Sequence, residues 1–380
     1  YKKEYNNNYN NEYNNNYNNN YNNNYNNDRL KKNPNKYFLM YSHYIKNKSL
    51  KDYYSITNDN YNIDYANYVI SILNNFSYLL TSLSLLNKSK IIHNDLHINN
   101  ILINLKINKP IIIDFGLSFQ INNCYKLNEN IIEFSYLNNF LFDFRFDYYH
   151  VNIEKRFLSF FIYNTSKEFS SFVDDNTIAN VLTISNIDLF INDAYDSIVN
   201  NKEIKAFFNS NELYEYKRAL QQFYYQFHNK IDYPTYSSIV KYLLDFVHMY
   251  NDLYSLTIDL LYIYYNSNIF LEPNESTETK NLKIFLEFFI QLYKKVLHPD
   301  PNMRLKIDEV YEIYMFIIIY IKNKEINNTT KYSAEFIIDF TKYLKSKSIS
   351  IEVVFNKNFA FLDFNLLCTK SIFEFIKLHI

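Results

Sequence analysis

One glycine serves the 380 residues of this chain, and it is Gly116. That scarcity limits the fold more than any other feature. Glycine is the usual means of entering the left-handed backbone region at tight turns, helix ends and phosphate-binding loops. Here other residues must fill those positions. Asn is abundant in the sequence and tolerates left-handed backbone well. A glycine-rich phosphate loop has no place anywhere in these 380 residues. A glycine kept against such pressure points to a backbone need, so the reading puts φ > 0 at Gly116.

Gly116 lies in the second of two segments that carry most of the functional signal. The first, Ile91–Ile103, reads IIHNDLHINNILI, and the second, Ile111–Phe119, reads IIIDFGLSF. Each opens on β-branched residues, as a buried strand would. The polar Asn104–Lys109 stretch between them reads as a turn, so the flanking runs should pair as a hairpin. That pairing brings Asn100 and Asp114 together at one end.

The surrounding chain is organised unevenly. Residues 1–27 repeat Tyr every four positions in an Asn matrix and offer no aliphatic core, so residues 1–35 read as disordered low complexity. Tyr37–Tyr41 reads as a strand, and Ser49–Tyr54 as the start of a short helix. Asp64–Leu86 has apolar residues at helical spacing. Residues 156–250 are helical in pattern without a catalytic signature. Asp252–Leu256 opens a further apolar helix, and helices are expected over Asn281–Val296 and Ile307–Ile321. Beyond Ser333 the pattern gives a helix, a β-like stretch over Ile349–Phe361 and a final helix.

Composition narrows the partners. Hydrophobic residues make up 48% and the net charge is −1, so a sizeable core is expected and nothing favours a polyanion. A Tyr/Asn tail could stack on RNA, but it lacks the basic run that would hold phosphates. Cys124 and Cys368 are the only cysteines and have no metal-type spacing, which fits reduced thiols in an intracellular, cytoplasmic setting. The longest apolar run, Met315–Ile321, is far short of the roughly 20 residues of a membrane span, so no membrane partner is expected.

The two segments offer a carboxylate at Asp95, an amide oxygen at Asn100 and a second carboxylate at Asp114. Hard oxygen donors of this kind suit Mg²⁺ shared with substrate phosphates, and the remaining carboxylate can orient a hydroxyl and take its proton. Single acidic residues are most often turn residues. An H-x-D-x-x-x-x-N run followed closely by D-F-G, each beside an apolar strand, is a poor match to chance.

HNDLHINNILI and DFGLS resemble the catalytic loop and metal-binding loop of the eukaryotic-type protein kinases. KYFLMYSHYIKNKSLKDYY is similar to the last N-lobe strand, the hinge and the helix that follows. DLYSLTIDLL is similar to the central C-lobe helix, with Asp252 where the catalytic loop backbone is braced. HPDPNMRLKIDEV resembles the late C-lobe motif, whose arginine pairs with a glutamate ending the activation segment; the best match is Glu154, so a Glu154–Arg304 ion pair is expected. The divergent motifs, the insertion and a composition rich in AT-coded Asn, Ile, Tyr, Phe and Lys also resemble kinases of large DNA viruses, which would place the chain in host cytoplasm or virion; an AT-rich protist is the alternative source.

The resemblance implies roles by position. The fold would be α+β, mostly α: a protein-kinase-like C-lobe with short β-hairpins over residues 36–324, a helical insertion at about 156–250, and a C-terminal extension of unassigned role at 325–380. Asp95 would be the catalytic base, with His97 beside it where serine/threonine kinases usually carry lysine. Asn100 and Asp114 would hold Mg²⁺, Leu102 would lie under the adenine of ATP, and the backbone near His43 and Tyr44 would bind its edge. His93, Phe115 and Gly116 would be structural. The partners would be ATP and a protein substrate with Ser/Thr hydroxyls.

The sequence also departs from the pattern. No glycine loop, strand lysine or paired helix glutamate precedes the hinge, because Lys31, Lys32 and Lys36 lie too close to it. The N-lobe is therefore expected to be largely missing, and transfer by this chain impaired. H-x-D-L-H also resembles small-molecule kinases of the aminoglycoside and choline type. A catalytically silent kinase fold that only binds is the other alternative.

Overall fold

A computed structural model of the chain describes residues 46–55, 65–124, 150–165, 182–229, 236–267, 277–323 and 329–355, together with residues 362 and 367. The expected strand at Tyr37–Tyr41, the hinge residues His43 and Tyr44, and the final helix lie outside them. The described chain is mostly helical, with two small antiparallel sheets.

The chain enters through strand β1 (Asn47–Ser49) and passes directly into helix α1 (Leu50–Tyr54). The Ser49 hydroxyl accepts the Asp52 amide at 3.0 Å and caps that helix. Helix α2 (Tyr65–Lys88) follows, as its periodicity predicts, and buries Val69, Ile72, Leu73, Phe76, Leu80 and Leu83. By length and apolar character α2 could cross a membrane, but here that face lies in the core. It ends at Lys90, whose φ of 58° is the left-handed turn that glycine usually takes.

Strands β2 (Ile91–Ile92), β3 (Ile101–Asn104), β4 (Lys109–Ile112) and β5 (Phe119–Gln120) then form the site's frame. The expected hairpin is β3–β4, in register Ile101↔Ile112, and β1 adds to its other edge with Ser49↔Leu102. β2 pairs separately with β5, through Ile91↔Gln120. The hairpin turn uses Asn108 at φ 49°, an Asn in a glycine's place.

The helical remainder starts with α3 (Ile153–Thr165). Next come α4 (Ile184–Val199), the single turn α5 (Lys202–Lys205) and α6 (Ser210–Asn229). Helix α7 (Tyr236–Asn266) is the spine: it packs on α2, α3, α5, β2 and on α8 (Thr277–Val296). Asp252 therefore lies within α7 instead of opening a helix, because apolar residues Ile239, Leu243 and Val247 extend the buried stripe N-terminally. After a short 3₁₀ turn at Pro301–Met303, α9 (Ile307–Asn323) packs along α2.

The described part of the C-terminal extension is also helical. Helix α10 (Thr329–Ser346) lies on α9 through Phe336, Phe340 and Tyr343 around Phe316. Ile351–Phe355, within the stretch expected to be β-like, forms the short helix α11 instead. Its β-branched residues read as a strand, but among the described residues no strand pairs with it; Phe355 packs on Phe340 of α10, and that contact favours the helix.

Candidate active site

The site is built on the loop from β2 to β3 and the loop after β4. The Ile113 amide donates to the Asn100 carbonyl at 2.9 Å, one step beyond the hairpin register, so Asn100 and Asp114 meet at its open end. Asn100 is buried and its Nδ2 donates to the Asp95 carbonyl at 2.8 Å. With that nitrogen engaged, the amide oxygen is the atom left for a cation. Asp114 is exposed, and one of its oxygens accepts the Gly116 amide at 3.3 Å. These two hard-oxygen donors fit Mg²⁺, which needs only one or two protein groups beside phosphate and water. Among the described residues no cluster of three or more His, Cys, Asp or Glu could hold a metal by itself.

The backbone of this second loop corrects one expectation. The left-handed residue is Asp114, at φ 60° and ψ 65°, and Gly116 has ordinary φ inside a 3₁₀ turn, Phe115–Leu117. The glycine serves a different need. A Cβ at Gly116 would stand 3.2 Å from Asp114 Oδ1, crowding the carboxylate that its own amide holds. Asp can take the left-handed position because its side chain bonds locally.

Asp95 is half-buried, and its carboxylate oxygen Oδ2 lies 3.4 Å from the Asn100 Nδ2. His97 Nε2 lies 3.9 Å from Asp95 Oδ2, beyond hydrogen-bond range. The His97 Nδ1 accepts the Asn99 amide at 3.2 Å, which puts the imidazole proton on Nε2, on the Asp95 side. Leu102 faces away from the buried Ile101 and Ile103, partly open on the sheet.

Long-range ties set the Asp95 loop. Asp252 on α7 accepts the His93 amide at 2.7 Å through Oδ2 and the Asn94 amide at 3.1 Å through Oδ1. Both peptides immediately before Asp95 are thereby fixed to the spine. His93 is fully buried, with Nε2 2.8 Å from the Ile113 carbonyl and its ring edge-on to Phe115 at 4.8 Å. Phe115 is otherwise exposed. Asn94 adopts φ 71° and its Nδ2 donates to the Leu117 carbonyl at 3.1 Å, joining the two loops directly. Further along α7, Asp259 meets His150, whose Nδ1 stands 3.2 Å from it. Burial pushes the Asp259 carboxyl above the usual range, and His150 opposes that shift.

Behind the loop, the first turn of α3 carries three consecutive buried charges, Glu154, Lys155 and Arg156. They point to three different places. Glu154 takes two bonds from Arg304, at 2.6 and 2.9 Å, and both side chains are fully buried. Arg304 also donates to the Pro299 carbonyl at 3.1 Å and to the His298 carbonyl, and lies over Tyr250 and Tyr254. Burial alone would lower this guanidinium's pKa; Glu154 more than offsets that and raises it. Arg156 reaches α4, donating to Ser197 Oγ at 2.7 Å and Asp193 at 3.1 Å. Lys155 reaches the Asp95 loop: its ammonium donates to Asn94 Oδ1 at 2.5 Å and faces the Asn94 carbonyl at 3.4 Å. Burial pushes the Lys155 amine down to about 8, while Asp252 and Asp95 pull it back up.

The structure thus ties Asp95 to Asn100, sets His97 3.9 Å from Asp95, and places Asp114 next to the Ile113–Asn100 bond, with Leu102 on the adjoining sheet. Glu154, Asp252 and Arg304 stand behind the site as ties. Lys155, His150 and Asp259 were missed by sequence reasoning. One signal for Lys155 was available: two cations at a helix N-terminus oppose the helix dipole, so tertiary partners must hold them. No family model matches the sequence, and neither the curated proteins nor the solved structures yielded a match.

Proposed function

We propose that this chain carries the C-lobe half of a divergent serine/threonine-type protein kinase site, transferring the γ-phosphoryl group of ATP to a protein hydroxyl. One observation carries most weight. Asp252 holds the two amides before Asp95 from the far side of a long helical insertion, as the order of motifs predicts. A loop with no precise task does not need its peptides fixed by a buried carboxylate on another helix.

In this reading Asp95 accepts the proton of the attacking hydroxyl as its oxygen bonds to phosphorus and the ADP oxygen departs. Asn100 and Asp114 would hold Mg²⁺, which would supply charge neutralisation on the phosphates. Leu102 offers an apolar seat for the adenine. His97, with its Nε2 proton toward Asp95, stands beside the transferring group. These 380 residues hold no glycine loop, so slow transfer by them alone is the expectation, since losing one phosphate clamp can cost a factor of ~10³ or more. The second reading is a kinase fold that binds nucleotide without transferring.

The test is transfer of γ-labelled phosphate from ATP to a generic protein substrate. The proposal expects slow, Mg²⁺-dependent labelling that Asp95→Asn abolishes. Binding of MgATP without labelling would favour the binding module. Labelling of small hydroxyl or amine compounds alone would move the assignment to small-molecule kinases.

A further inference from the structure

The Lys155 ammonium is one of the least comfortable groups in the molecule. It is buried, it sits at a helix N-terminus where the dipole repels cations, and its amine is pushed down to about 8. Such a placement persists only where specific partners hold it. The partners are Asn94 Oδ1 at 2.5 Å and the Asn94 carbonyl at 3.4 Å, with the carboxylates of Asp252 and Asp95 supplying the opposing charge. The backbone end is fixed too, because Asn152 caps α3 by accepting the Lys155 amide at 3.0 Å. Lys155 is thus anchored at both ends.

Asn94 is the residue that needs such a partner. Its φ of 71° is left-handed, a region Asn enters more readily than other non-glycine residues when its side chain bonds locally; here the side-chain oxygen is held instead by the Lys155 ammonium. It sits between His93 and Asp95, so its backbone sets the direction in which Asp95 leaves the Asp252 anchor. It also joins the Asp95 loop to the metal-side loop through the Leu117 carbonyl.

We propose that Lys155 is a positioning residue for the catalytic loop, its ammonium fixing the left-handed turn at Asn94 and so the aim of Asp95. The catalytic part of this statement rests on the kinase reading; the positioning part does not. A cation thus reaches the base from behind, from the first turn of α3, where the loop itself presents His97.

Lys155→Met keeps most of the apolar stem and removes only the charge. Amide hydrogen exchange is compared across wild type, Lys155→Met, Asn94→Ala and the double variant. The expected result is exchange at residues 91–100 about tenfold faster in each single variant, with α7 and α9 unchanged. The double variant should exchange no faster than the quicker single, because both remove one interaction. Unchanged exchange at 91–100, an equal rise in every helix, or additive effects would each overturn the proposal. A second arm reads transfer kinetics: kcat should fall about 10²-fold in Lys155→Met with KM for MgATP held within about twofold. Unaltered kcat in an active enzyme would also overturn it. If the wild type transfers no phosphate, the kinase reading fails, and hydrogen exchange still decides the role of Lys155.

Discussion

The Asp95 loop and helices α3, α4 and α6 are held by different physics. The loop is tied by directional polar contacts from distant segments: Asp252 on two amides, His93 on the Ile113 carbonyl, Asn94 on Leu117. Helices α3, α4 and α6 are held together by aromatic packing. Phe157 of α3 meets Phe190 of α4 at 4.9 Å and Tyr224 of α6 at 4.6 Å, and Phe223 and Phe227 extend the cluster. Apolar packing is strong and forgiving in angle, whereas a carboxylate accepting two amides fixes position to fractions of an ångström. The contrast separates a region that must be stable from one that must also be aimed.

The regions meet in the first turn of α3, where the largest effect is expected. Arg304→Met leaves Glu154 charged and fully buried, which should cost up to ~5 kcal/mol of stability in a denaturant titration. Adding Glu154→Met should recover part of that loss. If the single variant costs no more than a surface substitution, the pair is not a structural tie.

Phe190→Ala tests the packed side. It should lower stability by about 3 kcal/mol, as truncation of a buried aromatic does. Hydrogen exchange at residues 91–100 should then change only in step with global stability. A selective opening of the loop would erase the contrast between the two regions.

Asp252→Asn tests the aimed side. It replaces a charged acceptor of two amides with a neutral one and should cost about 2 kcal/mol. Exchange at the His93 and Asn94 amides should rise by more than the global loss explains. Equal rises everywhere would make Asp252 an ordinary buried residue.

The smallest effect is a pH dependence at the same junction. Burial, together with the nearby Arg304 and Lys295 charges, pushes His298 down to about 3 from its ordinary 6.5, although the Asp300 carbonyl opposes this. Its Nδ1 accepts the Asp300 amide at 3.1 Å, which only the neutral ring can do. The folded pKa is the lower one, so the unfolded chain binds the proton first as pH falls. The His298 contribution is therefore complete above about 6.5 and is lost progressively toward about pH 3. Its slope approaches 1.4 kcal/mol per pH unit at most, roughly. His298→Asn should flatten the wild-type fall in stability between pH 7 and 5; parallel curves would assign that fall to other groups.

The sequence was most legible where polar residues recur at fixed spacing. The β3–β4 hairpin and the α2 stripe followed from pattern, and the Glu154–Arg304 partners from the motif resemblance. It was least legible where tertiary packing overrides local preference. Ile351–Phe355 is β-branched yet helical, because α10 offers a helix-packing face and no strand edge. At Gly116 the constraint is the Asp114 carboxylate beside it, which backbone preference alone does not reveal. Lys155 carried only the faint signal of a cation at the wrong end of a helix, and its partner lies far back in the chain at Asn94.

The central claim is that Asp95, Asn100 and Asp114 form one nucleotide-metal mouth with divided roles. Titration of wild type, Asp114→Asn and Asp95→Asn with MgATP, followed by thermal shift, tests it most directly. The account predicts a Mg²⁺-dependent upward shift in wild type, retained in Asp95→Asn and lost in Asp114→Asn. No shift in wild type, or a shift untouched by Asp114→Asn, would contradict it.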